Sequence, residues 1–300
     1  MGITKHQHYV PKVYLKNFSH TGGTMLQNNA EMIFCKDKTT DLSREISIVD
    51  VAVKKNIYTD KKLGNPLYWE DQYRKKETKA GLVLQKIIKG GRLNVISNGC
   101  RLFNDSDKKF MANFIMMQML RTPRVMAYLG DCYQKNIPLI SDYLQRVLGD
   151  YWNEHIAEKI YNISNEKDLA KNIQLQTIFD QYDNALIAGQ LYSKNWVVYR
   201  IPNPSEKFCF YTSDNPVIIS DVLGERYSVF ESGIDNPFTI IHYPLSADLL
   251  LAIYGNFSKY ERYDSKLFFL QENEMEFVSR INELQKRQCN KYVFSYYSFP

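Results

Sequence analysis

Between Phe110 and Leu120 the chain reads Phe-Met-Ala-Asn-Phe-Ile-Met-Met-Gln-Met-Leu, and only Asn113 and Gln118 interrupt the apolar run. It is longer than an ordinary strand of about 5–6 residues and shorter than the roughly 18 apolar residues of a membrane span. A helix is the reading left, over Phe103 to about Met126, with Asn104 or Asp105 as cap and Pro123 as a kink or stop. A helix apolar on every side has to be surrounded. The rest of the chain must therefore supply a shell around it.

That shell is legible in outline. Trp69, Tyr73, Ala80, Leu84 and Ile87 fall at helical spacing, so a helix is predicted over Tyr68–Lys89, ending at Gly90-Gly91 and packing on the first. Two more helices are expected over 137–162 and 166–192. Thr21-Gly22-Gly23-Thr24 marks a break, Met32 to Cys35 a short strand, and 36–66 irregular chain with strand-like turns. After residue 193 the texture changes to short β-branched and aromatic runs: Trp196–Tyr199, Phe208–Tyr211, Pro216–Ile219, Phe238–Tyr243 and Leu249–Tyr254. A helix over Glu272–Cys289 and a strand over Tyr292–Tyr297 close the chain. Helices first and strands later is the α+β pattern. The expected fold is a mainly helical part, 1–192, packed on a mainly antiparallel sheet from 193–300, as a single domain unit over 1–300.

Composition excludes several classes. Apolar residues make up 44% and charged residues 24%, which is globular rather than disordered. The five cysteines are widely spaced with no Cys-x-x-Cys, against a zinc knuckle or disulfide framework. No apolar run suits a membrane span, and Met1 to Lys12 does not read as a secretory signal, so a cytoplasmic protein with no membrane partner is expected. The phosphate loop, the dinucleotide fingerprint, the zincin helix and the nucleophile elbow are all missing.

Charge is uneven. Residues 1–104 hold 18 Lys/Arg against 9 Asp/Glu, and 105–300 hold 20 against 24. The basic third is either a solvated face or a surface that attracts nucleic acid or a nucleotide.

Three places carry polar groups inside apolar context. Gln118 and Arg121 share one helix face. A buried guanidinium requires a carboxylate, a set of carbonyls or an anionic ligand, and Asp214 is the first expected partner with Glu77 the second. Thr212-Ser213-Asp214-Asn215-Pro216 forms a tight bend, where Asp214 is either a general base or metal ligand or the centre of an Asx-turn. His6 and His8 alternate on one side of an extended segment. Glu70 and Glu77 lie seven apart on the helix predicted over Tyr68–Lys89.

Gln7-His8-Tyr9-Val10-Pro11, then Gln118, Arg121-Thr122-Pro123, Trp196, Ser213-Asp214-Asn215-Pro216 and Pro244-Leu245-Ser246 occur in an order that resembles the bacterial domain-of-unknown-function family 4238. The resemblance spans nearly the whole chain. It implies one domain unit and places the polar residues above among the family's own motifs, and it brings no activity with it.

Two functions compete on the residues alone. In one, His8, Asp214 and Glu77 are catalytic, Arg121, Gln118 and Asn215 bind substrate, and Mg²⁺ or Mn²⁺ assists. The reaction is then phosphodiester or nucleotide hydrolysis by a nuclease- or nucleotidase-type effector of phage defence or toxicity. In the other, the same groups form a buried polar network in a non-catalytic nucleotide-sensing or protein-interaction module.

Overall fold

A computed structural model describes residues 6–21, 30–60, 63–93, 95–164, 169–179, 181–221, 233–256 and 258–300. The expected break at Gly22-Gly23-Thr24 lies outside the described residues. The fold is α+β, as expected.

The all-apolar run forms helix α3 (Asp105–Leu120) within a shell of α2 (Tyr68–Gly91), α4 (Pro123–Leu148), α6 (Leu169–Phe179) and α7 (Gln181–Ser193). Here α1 is the single turn Lys12–Leu15 and α5 spans Glu154–Ser164. Met111, Phe114, Ile115, Met116 and Met117 are buried, and Phe110 and Leu120 are half-buried against the same core. Asn104 caps α3 by accepting the Asp107 N–H at 2.8 Å.

The helix expected over Phe103–Met126 is in fact two. Pro123 opens α4 at its first position, and Thr122 before it is extended at ψ 149°. The resulting corner leaves Arg121 as the C-terminal cap of α3, turned into the core. The helix expected from 137 is corrected as well: α4 runs through Pro138 without ending, and α5 is separate. The stretch 166–192 divides into α6 and α7.

Strands come from both ends of the chain rather than from the last third alone. One five-stranded sheet has the order β11-β6-β10-β9-β8, made of Lys266–Phe269, Asn195–Arg200, Leu249–Tyr254, Thr239–Ser246 and Ile218–Asp221. Only its β11–β6 pair is parallel. A second sheet is wholly antiparallel. It joins β2 (His20–Thr21), β3 (Glu31–Asp37) and β4 (Ser43–Ser47) to β12 (Tyr292–Ser295) and β7 (Thr212–Ser213). A third pair, β1 (His6–His8) with β5 (Val53–Lys55), lies at the N-terminus. The pairing of β3 with β12 brings Phe34–Asp37 beside Tyr292–Ser295.

Phe208–Tyr211 is not a strand. The side-chain amide of Asn282 takes the place of a neighbouring strand, accepting from the Tyr211 N–H and donating to the Cys209 carbonyl, both at 2.8 Å. Asn282 belongs to the helix Met275–Gln288, which continues the pattern. Gln285 donates to the Pro216 carbonyl at 2.9 Å, and Gln288 brackets Ile219 through its N–H and carbonyl.

Candidate functional site: a cleft between the first strand and helix α2

Helix α2 shows Glu70, Asp71, Arg74 and Glu77 to strand β1, and between them lies a cavity of about 340 Å³. His6, Gln7, His8, Lys12, Tyr58, Tyr73 and Arg121 complete most of its wall. The seven-residue spacing of Glu70 and Glu77 puts both carboxylates on one side of α2, as two turns of helix require.

Gln7 locks the strand to the wall. Its side-chain N–H donors reach Glu70 at 2.7 Å and Thr59 at 3.2 Å, while its carbonyl accepts the Tyr58 N–H at 2.8 Å. Burial alternates along β1, with His6 exposed, Gln7 buried and His8 half-buried, and all three line the cleft.

Arg121 forms the floor. It is 1% exposed, and its guanidinium donates to Glu77 at 2.7 Å, to the Tyr58 hydroxyl at 3.0 Å and to the His8 carbonyl at 2.6 Å. Its plane also stands over Tyr73, 4.3 Å from the ring centre. Burial alone would lower this group, but Tyr58, Glu77 and Tyr73 outweigh it and hold Arg121 charged. Burial pushes Tyr58 up to about 12 against the pull of Arg121, so its hydroxyl stays protonated and donates to the His8 carbonyl at 3.3 Å.

Burial, together with Lys12 and Arg121, lowers His8 below the ordinary histidine value. Its Nε2 lies 3.3 Å from the Ile48 carbonyl. In the neutral ring that contact fixes the proton on Nε2 and leaves Nδ1 as the acceptor. Gln118 lies behind the floor, fully buried, and donates to the Tyr9 carbonyl at 3.2 Å.

The expected Arg121–Asp214 pair does not form; Glu77 takes that place. Asp214 and Asn215 sit in the β7 bend, on the second sheet. Asp214 is fully buried and accepts the backbone N–H groups of Asn290, Lys291 and Tyr292 at 2.8–3.1 Å, which anchors β12. Burial pushes it up to about 6 even though three N–H donors favour the charged form. Asn215 donates to the Gln288 carbonyl at 2.9 Å, and Ser213 reaches Gln285 at 2.7 Å. These bonds make the Ser-Asp-Asn-Pro segment a splice between two elements.

The cleft therefore joins His8, Glu77 and Arg121, with Gln118 behind them, and leaves Asp214 and Asn215 outside its lining. Gln7, Lys12 and Tyr58 escaped the sequence reading as site residues. Gln7 stood inside the N-terminal motif, whereas Tyr58 had no local signal and owes its place to the pairing of β1 with β5. Among the described residues no three His, Cys, Asp or Glu side chains come together in a group able to hold a metal ion. No helix among the described residues is long and apolar enough to cross a membrane.

Part of the basic excess is neutralised within the fold. Arg92 pairs with Asp248 at 2.8 Å, Lys86 with Asp107 at 2.6 Å and Arg74 with Asp71 at 2.8 Å. Lys12, on the rim of the cleft, is exposed and has no hydrogen-bond or ion-pair partner among the described residues.

An antiparallel β3–β12 closure, a buried α3 and a polar cleft under the N-terminal strand define an α+β protein built around an arginine clasp. The chain belongs to the family of proteins of unknown function DUF4238, whose profile matches residues 6–297. No curated protein and no solved structure matches it.

Proposed function

We propose that the cleft between β1 and α2 binds a small phosphate-bearing ligand, a nucleotide or a short phosphodiester, without turning it over. Lys12 carries this reading: an unspent cation beside His6 and His8 on the rim of a cavity of about 340 Å³, within the size range of small-molecule sites. Binding rather than turnover is supported by the state of the polar groups. Arg121 is committed to three partners, Glu70 is held by Gln7, and Asp214 is spent on β12. The network thus reads as a preorganised sensor wall.

A hydrolase is the second reading, and one observation favours it. His8, lowered by burial below the ordinary histidine value, lines the same cleft as the Glu77 carboxylate, which is 23% exposed. On that reading His8 is the general base, Mg²⁺ or Mn²⁺ sits with the ligand phosphates, and the protein is a nuclease- or nucleotidase-type defence or toxin effector.

Calorimetric titration of purified protein with nucleoside mono-, di- and triphosphates and short oligonucleotides tests the proposal, each run with EDTA, Mg²⁺ or Mn²⁺ and with product analysis. Saturable binding that Lys12→Ala weakens about tenfold, with ligand recovered intact, supports sensing; one such lost charge-assisted contact is about 1.4 kcal/mol. Metal-dependent product that disappears in His8→Ala replaces sensing by hydrolysis. No binding at millimolar ligand ends both readings.

A further inference from the structure

Helix α4 and its successor α5 leave the core. From Met126 to Asn162 no side chain described is buried. Yet this arm is rich in large apolar groups. Leu139 is 65% exposed, Tyr143 65%, Val147 61% and Tyr151 81%, and Ile140 beside them is 43% exposed. The first three recur every four residues along α4, and Tyr151 continues the row just past its end. Such a row is an i±4 ridge, the element that interlocks when two helices pack. The opposite side of α4 carries Ile137, Leu144 and Leu148, each half-buried, so α4 uses one face within the arm and keeps a second. A patch of this kind marks an interaction site.

We propose that this second face pairs with the same face of another copy of the chain, antiparallel, with the two-fold axis beside Tyr143–Leu144. The symmetry operation fits the row. About that axis Leu139 of one copy meets Val147 of the other, and the two Tyr143 rings meet near the centre. Charge fits as well. Asp142 and Arg146 lie one turn apart on one flank of the row, both exposed and neither in an ion pair among the described residues. A two-fold axis in the interface keeps each flank on its own side, so Asp142 of each copy faces Arg146 of the other, twice. The ridge spans about 18 Å at 1.5 Å per residue, which places the interface near the small end of specific contacts and makes dimerisation reversible.

Sedimentation of the full chain over a range of 1–200 µM, with thermal melts alongside, reads the pairing. Concentration-dependent formation of a dimer is expected. Asp142→Arg and Arg146→Asp, each alone, should shift the transition to at least tenfold higher concentration at an unchanged melting temperature. The double exchange should restore it, because each charge then finds its opposite again. Tyr143→Cys should give a covalent dimer on mild oxidation, and Tyr161→Cys, off the ridge, should not. A chain that stays monomeric throughout, or a dimer indifferent to both charge changes, overturns the proposal. If the charge variants lose their fold, Tyr143→Ser replaces them, and a dimer unaffected by it overturns the proposal equally.

Discussion

A guanidinium with 1% exposure is stable only because its donors are spoken for. Arg121 joins α3 to β1 through the His8 carbonyl and to α2 through Glu77, so three segments distant in sequence meet on one side chain. Breaking such a buried pair costs about 3–5 kcal/mol. Arg121→Met should lower stability by that order in urea melts. Arg121→Lys should recover little of it, since an ammonium cannot span the three acceptors in one plane. Asp214→Asn should cost about 1–3 kcal/mol, because an NH₂ group is brought against backbone N–H donors. It should leave ligand binding in the cleft unchanged, which calorimetry on the same sample checks. The need for a partner at Arg121 was legible from the apolar run around it. The partner's identity was not: Glu77 lies 44 residues from Arg121 and Asp214 further still, and separation along the chain does not decide which carboxylate the fold brings near. The choice was made by the elbow at Thr122-Pro123, which turns Arg121 toward α2.

Elements were legible where period and punctuation agreed. The helix expected over Tyr68–Lys89 is observed as Tyr68–Gly91, and the strand Leu249–Tyr254 is found as expected. Pro123 stops the first helix, as its position led one to expect, and Pro138 does not stop the second. Pro123 separates two helices because Thr122 takes an extended backbone, whereas Pro138 is carried inside α4. Phe208–Tyr211 has strand composition but forms no strand; the Asn282 amide and the Ala247 carbonyl meet its backbone instead. No local pattern announces such a substitution, since Asn282, Gln285 and Gln288 read as ordinary polar positions on an amphipathic helix. Their burial gives a prediction. Gln288→Ala strands the Ile219 N–H and carbonyl and should lower stability by about 1–3 kcal/mol. Ile115→Ala, in the centre of α3, should cost about 2–5 kcal/mol as a cavity forms. An equal, small effect at both positions by denaturant melts would show that neither the amide clamp nor α3 is the centre of packing.

At the scale of the whole molecule, pH acts through groups the fold buries. His242 is held at about 3 by burial, with Arg280 adding to the effect. The unfolded chain binds a proton there near pH 6.5 and the folded chain does not until about pH 3. Stability from this group is thus complete above pH 6.5 and falls by about 1.4 kcal/mol per unit as pH drops below it. Asp214, pushed up to about 6 from 3.8, acts in the opposite sense between those values, because the folded chain takes its proton first. The difference between wild type and His242→Gln cancels the Asp214 contribution. The wild-type advantage should shrink steadily from pH 6.5 to pH 4 in parallel urea melts, and a constant difference would contradict the assignment. The division of labour in the cleft, with Arg121 building the wall and Lys12 meeting the ligand, is tested most directly by melting temperature and nucleotide affinity measured together on Lys12→Ala and Arg121→Lys. Lys12→Ala should keep its melting temperature and lose about tenfold in affinity, whereas Arg121→Lys should melt well below wild type. An Arg121→Lys protein that melts like wild type but no longer binds would make Arg121 a ligand-contacting group and contradict the clasp.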